Sequence, residues 1–181
     1  NGVSGTIEKV NTLTFDIFGT VLDLSGSLVP HLEKLLQQCN APESITGADV
    51  WNHWRLRQRL EQYQDNIIML GHSGYLEVKK RALLYTLRLL KIEFTYEKVD
   101  EFMKAYHELI PFQDAVAGLK RLGTKYRLVI LSNGEEWYLK QLVENNIGID
   151  FNEILCAEMV SQFKPHPSVY RFAANRLELE P

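Results

Sequence analysis

The hydrophobic period changes twice along this chain, and that change limits the fold more than any single motif does. Residues 12–17, Thr-Leu-Thr-Phe-Asp-Ile, form a short apolar, β-branched run that reaches Gly19. It reads as a buried strand followed by a tight turn. From about 27 to 110 the period becomes helical, and four helices can be drawn at 27–40, 46–70, 75–91 and 95–110. The breaks fall at Asn40-Ala41-Pro42, Gly71-His72-Ser73-Gly74 and Glu93-Phe94-Thr95, loop compositions with candidate N-caps. Leu28, His31, Leu32, Leu35 and Leu36 give the stripe of the first helix; Leu76, Lys79, Leu83, Leu84, Leu87 and Leu90 give that of the third. After Pro111 a strand–helix alternation returns: a helix at 113–123, a strand at 126–131 and a helix from Glu135 to about Gly148. A short strand at 153–156 and a helix from Pro167 to about Leu177 follow. That alternation means βαβ units and a parallel sheet. The expected fold is α/β, a Rossmann-like parallel sheet core of residues 1–24 and 111–181 with an inserted all-helical cap over 25–110.

Composition excludes several partner classes. Twenty basic against 23 acidic residues leave a formal charge of −3 in 181 residues, mixed along the chain. A nucleic-acid binder would show a basic stripe instead. The apolar runs are short and broken by charges, so no membrane span is expected. No export pattern opens the chain. Cys39 and Cys156 lie far apart without metal-ligand spacing and read as buried, reduced thiols of a cytoplasmic protein.

In a parallel sheet, sites form at the carboxyl ends of the strands. Three such ends carry polar residues here: Asp16 with Thr20, Ser132 with Asn133, and Lys164 in the last connection. A carboxylate, a hydroxyl and a lysine converging there would supply a nucleophile, an oxygen-binding group and a countercharge. Each also has a plainer reading. Asp16 could cap its own turn, Ser132 with Glu135 fits a capping box, and Lys164 could be a solvated loop lysine. Their joint placement at three successive strand ends is what points to chemistry.

The segments Phe15-Asp-Ile-Phe-Gly-Thr20, Leu131-Ser-Asn-Gly134 and Phe163-Lys-Pro-x-Pro-x-Val-Tyr170 resemble, in order, the first three motifs of the haloacid dehalogenase superfamily, most closely its L-2-haloacid dehalogenase branch. The resemblance covers nearly the whole chain, including the helical insert and Pro111-Phe112 where the core resumes. The branch rests on Phe18. Phosphatases of the superfamily carry a second Asp two residues after the nucleophile to protonate the leaving alcohol, a contribution of about 100- to 10,000-fold. A halide leaves as a stable anion and needs no proton.

The resemblance implies that Asp16 attacks the α-carbon of an L-2-halo acid, displacing halide with inversion and forming an ester that water hydrolyses to a 2-hydroxy acid. It implies that Lys164 keeps Asp16 ionised, and that Thr20, Ser132 and the backbone after it hold substrate oxygens. Asn133, Phe18, Tyr75 and Tyr170 match pocket positions. An arginine of the cap receives the halide; Arg55, after Trp54, is the first candidate, with Arg57 and Arg59 on the same helix. It further implies a homodimer acting on a small 2-halo carboxylic acid, with no metal or other cofactor. His166, beside the Lys-Pro motif, reads as a surface residue. The family's fourth motif, which positions the hydrolytic water, does not occur before Pro181. The expectation is therefore that the natural protein continues by about 40–60 residues, one or two βα units, and that these 181 residues alone form the ester without completing hydrolysis. Two rival readings remain open: a cofactor-free hydrolase of another small carboxylic acid, and a phosphatase-like or degenerate domain.

Overall fold

The computed structural model describes residues 10–68 and 71–179, and within them the chain opens with a strand, Thr12–Phe15 (β1). The turn after it is tight. Ile17 O accepts from Val21 N at 3.0 Å and Leu22 N at 2.9 Å, and Gly19 takes φ +84°, where a side chain would be strained. The chain then forms a two-residue strand, Leu22–Asp23 (β2).

Four cap helices follow. The first, Leu24–Gln38 (α1), begins three residues before the predicted start. The Asp23 carboxylate accepts from Gly26 N at 2.9 Å, and this cap carries Ser25, Gly26 and Ser27, which are poor helix formers. Thr46 and Asp49 form a capping box at the start of Gly47–Ile67 (α2); residues 69–70 of the predicted helix lie outside the described residues. Tyr75–Leu89 (α3) and Tyr96–Met103 (α4) complete the set. The fourth helix is shorter than predicted. It tightens into a 3₁₀ turn at Lys104–His107 and gives way to a strand, Ile110–Pro111 (β3), because the residue before a proline avoids the helical region. β3 pairs antiparallel with β2, so the chain leaves and re-enters the sheet layer at one place. Two residues carry no periodicity, and neither strand was foreseen.

The second half alternates: Ala115–Gly123 (α5), Arg127–Ser132 (β4), Glu136–Leu142 (α6) widening at Val143–Ile147, Glu153–Cys156 (β5) and Pro167–Arg176 (α7). Among the described residues the sheet order is β1-β4-β5, both pairs parallel. β4 is buried on both faces, as a parallel strand between helices must be. Leu128 and Ile130 enter the larger core, whereas Val129 and Leu131 pack with Val169 and Ala173 of α7 and with Leu177 just after it. The larger core runs up into the cap. There Trp54 meets Trp51, Phe102 and Tyr106 edge-on, and its indole N–H donates to Lys79 O at 2.9 Å, locking α2 to α3. The fold is α/β with a helical block inserted after the first strand.

Candidate active site

Asp16 stands just beyond β1, Asn133 just beyond β4 and Lys164 in the loop after β5, all at the carboxyl end of the sheet. They are joined. Lys164 Nζ donates to Asp16 Oδ1 at 2.9 Å and to Leu131 O at 2.7 Å. Thr20 Oγ1 donates to Asp16 Oδ2 at 3.3 Å. Asn133 Oδ1 accepts from Lys164 N at 2.6 Å, tying the second loop to the third. Residues as far apart as 16 and 164 therefore meet through side chains, and Lys164 is no solvated loop lysine: its side chain is only 16% exposed.

The cap is stitched to the same loops. Asn66 Nδ2 donates to Phe163 O at 3.0 Å, and Phe163 N donates back to Asn66 Oδ1 at 2.9 Å. The His72 ring stacks on Phe163 with centroids 4.0 Å apart. Its Nε2 lies 2.7 Å from Asn133 O, and since a carbonyl only accepts, Nε2 carries the proton. His72 Nδ1 accordingly accepts from Gly74 N at 3.3 Å. No sequence signal marked Asn66 or His72.

Between cap and sheet lies a cavity of about 290 Å³, with Asp16, Phe18 and Asn133 on the sheet side and Arg55, Arg59 and Lys79 on the cap side. Arg55 and Arg59 lie one turn apart on a face of α2 with Trp51, Gln58 and Gln62. Arg57 faces elsewhere. It pairs with Glu61 at 2.7 Å and lies 3.9 Å over the Tyr85 ring. Phe18 and Tyr75 both line the cavity and stack at 4.1 Å. Burial pushes the Tyr75 phenol well above its usual value, and its hydroxyl has no partner among the described residues.

Four predicted positions stand outside this lining, and one of them, Lys164, reaches the cavity through Asp16. Ser132 is wholly buried, and its Oγ accepts from Gly134 N at 3.4 Å. The capping box with Glu135 does not form, because α6 starts only at Glu136 with Glu135 itself at the cap. Thr20 reaches the site only through Asp16. Tyr170 sits on α7, 47% exposed, and does not line the cavity. His166 caps α7, its Nδ1 accepting from Ser168 N at 3.2 Å. Lys79 was visible only as an anomaly, a lysine inside an apolar stripe. Cys39 and Cys156 are free and buried, and burial raises both thiols. Among the described residues no group of three or more His, Cys, Asp or Glu side chains is placed to hold a metal ion, and no helix is long and apolar enough to cross a membrane.

A family model described as haloacid dehalogenase-like hydrolase matches residues 10–181. The (S)-2-haloacid dehalogenase 4A of Burkholderia cepacia is 27% identical over 177 residues, which are 97% of this chain and 73% of that protein. The (S)-2-haloacid dehalogenase of Xanthobacter autotrophicus is 30% identical over 95% of this chain and 64% of its own length. The solved structure of the L-2-haloacid dehalogenase from Xanthobacter autotrophicus superposes with a TM-score of 0.81 at 26% identity, covering 95% of this chain and 66% of that one. The same enzyme with chloropropionic acid covalently bound gives a TM-score of 0.78. The chain thus spans roughly two thirds to three quarters of the length of these proteins.

Proposed function

The chain belongs to the haloacid dehalogenase-like hydrolases, and from that premise we propose that it hydrolyses L-2-haloacids to 2-hydroxy acids through an ester on Asp16. The observation that carries the proposal is the pairing of Lys164 Nζ with Asp16 Oδ1 at 2.9 Å on the floor of a cavity whose roof holds Arg55 and whose position two residues after the carboxylate is Phe18. An oxygen of Asp16 attacks C2, the carbon–halogen bond breaks, and the halide leaves with the electron pair toward the Arg55 guanidinium. Water then adds to the Asp16 carbonyl carbon. The 2-hydroxy acid departs, and the carboxylate is restored with one oxygen from water. Lys164 and Thr20 hold Asp16 for this attack, Asn133 holds the Lys164 loop, and Phe18 and Tyr75 wall the reacting carbon. An aromatic ring at position 18 offers no proton to an alcohol, which disfavours phosphate-ester chemistry.

The core is residues 1–24 and 111–181 and the cap residues 25–110 in this reading. The protein acts as a homodimer through the outer face of α2. Leu56, Leu60 and Ile67 are 61%, 53% and 77% exposed there in helical register, an apolar stripe suited to an interface.

Chloride release from L-2-chloropropionate without added metal, set against a generic phosphate ester with and without Mg²⁺, tests the proposal. Turnover in H₂¹⁸O should leave label in the Asp16 peptide. Phosphate release with no chloride release would sink it.

A further inference from the structure

Lys79 is a buried ammonium that the dehalogenation scheme does not use. Its residue is 5% exposed, yet it lines the same cavity as Asp16. The hydrogen bond from Trp54 to its carbonyl fixes its place on α3, and its Nζ lies 4.3 Å from the centroid of the Tyr75 ring. Among the described residues no carboxylate pairs with it and no side chain accepts a hydrogen bond from it. Arg55 and Arg59, on the facing helix, also have no ion pair among those residues. Tyr75, one turn before Lys79, adds an unpartnered buried hydroxyl.

A buried ammonium that faces only an aromatic ring is costly, and a bound anion would offset that cost. Counting charges gives the ligand's class. With Lys79 protonated, Arg55, Arg59 and Lys79 bring three positive charges to the cavity and Lys164 a fourth beside Asp16, and Asp16 and Asp23 bring two negative ones. Asp16 is already matched by Lys164, and Asp23 offsets one of the three remaining cations, which leaves an excess of two. A 2-halo monoacid brings one negative charge and leaves the site under-neutralised. A dianion balances it.

We propose that Lys79 and Arg59 form a second anion subsite beside Asp16, and that the preferred substrate is a 2-halo dicarboxylic acid whose distal carboxylate is held there. The proposal rests on the dehalogenase reading for its reacting centre, and the subsite adds the substrate class. The chemistry balances without a further reactant: a 2-halo diacid and water give a 2-hydroxy diacid, halide and a proton. Burial, opposed by the Asp16 charge and aided by that of Arg59, lowers the Lys79 ammonium to about 7. An arriving carboxylate favours the charged form and draws a proton on binding.

The test compares kcat/KM for L-2-chlorosuccinate with that for L-2-chlorobutanoate, in which a methyl group replaces the distal carboxylate. The native protein should favour the diacid by at least about tenfold, since a charge-assisted hydrogen bond contributes that much discrimination. Lys79→Met should collapse this ratio at least about fivefold, and Arg59→Gln should lower it in the same direction. A native ratio of one or below, or a ratio that Lys79→Met leaves unmoved, overturns the subsite. If neither halo acid releases chloride, the dehalogenase reading fails by itself, and calorimetry with succinate and butyrate then decides the subsite. Succinate binding about tenfold tighter than butyrate, lost in Lys79→Met, supports it; equal or absent binding of succinate overturns it.

Discussion

Replacing Lys79 with methionine should make this protein more stable at neutral and acidic pH. The side chains are similar in length, and the substitution removes a buried charge while keeping the packing against Tyr75. The ammonium falls from 10.5 to about 7 on folding, close to three and a half units. At about 1.4 kcal/mol per unit, the charged form costs the folded state at most about 5 kcal/mol below pH 7. The sign follows from proton counting. Between pH 7 and 10.5 the unfolded lysine keeps its proton and the folded one has lost it, so native stability rises with pH by up to about 1.4 kcal/mol per unit. From pH 6 to 9 the native protein should therefore gain up to about 3 kcal/mol that Lys79→Met does not. Asp16, Arg59 and Tyr75 face this group in both proteins, and their own contributions cancel in the comparison. Equilibrium urea unfolding of the two proteins at pH 6, 7, 8 and 9 reads the difference directly. Parallel stability–pH curves, differing by less than about 0.5 kcal/mol over that range, would refute a buried charge at this position.

The remaining expectations concern the site and its supports. Asp16→Asn should lower halide release below about 1% of native with the fold retained, because an amide is a far weaker nucleophile; chloride titration and circular dichroism check both halves. Arg55→Lys, which keeps the charge but loses the planar fork, should cost about tenfold in kcat, or ~1.4 kcal/mol, whereas Arg57→Lys should stay within about twofold. The opposite order would exchange their assignments. Asn66→Ala removes both hydrogen bonds to Phe163 and should lower stability by about 2 kcal/mol, at about 1 kcal/mol each; kcat should fall with it, since the Lys164 loop loses its clasp. Leu60→Glu should turn a dimer into a monomer in light scattering, and an unchanged mass would move the interface off α2.

The sequence revealed the fold where a period could be counted. The β4 run and the long cap helices have enough residues for a face to emerge, and their types were legible. β2 and β3 have two residues each and exist only because chain segments far apart in sequence meet. The early start of α1 depends on one carboxylate cap that overrides weak local propensity. In the site, Asp16 and Lys164 were legible through short motifs tied to strand ends, a topological rule that survives a separation of 148 positions. Tyr170 matched a motif by spacing, but the helix turned it half out to solvent. Arg57 differs from Arg55 by two residues, or about 200° around α2, and their contacts tell them apart: Arg55 lines the cavity, while Arg57 pairs with Glu61 over the Tyr85 ring. Asn66 and His72 have ordinary loop chemistry until the loop opposite them is in place.

Phe18 also constrains what this protein could become. Its ring stacks on Tyr75 at 4.1 Å and lies 5.7 Å from Tyr138, and a Cβ added at Gly134 would come within 2.9 Å of its Cε2. An aspartate in place of Phe18 would leave a void of the kind that costs about 3–5 kcal/mol, and it would face two buried phenols held in their neutral form. Against a native margin of about 5–15 kcal/mol, that step alone approaches unfolding. Gly134, conversely, can accept a side chain only after the ring is gone. Positions 18 and 134 are thus one heritable unit. A lineage crossing from halide to phosphate chemistry on this scaffold must repack the aromatic stack before it can gain a proton donor, and the path is barred to any sequence that changes residue 18 first.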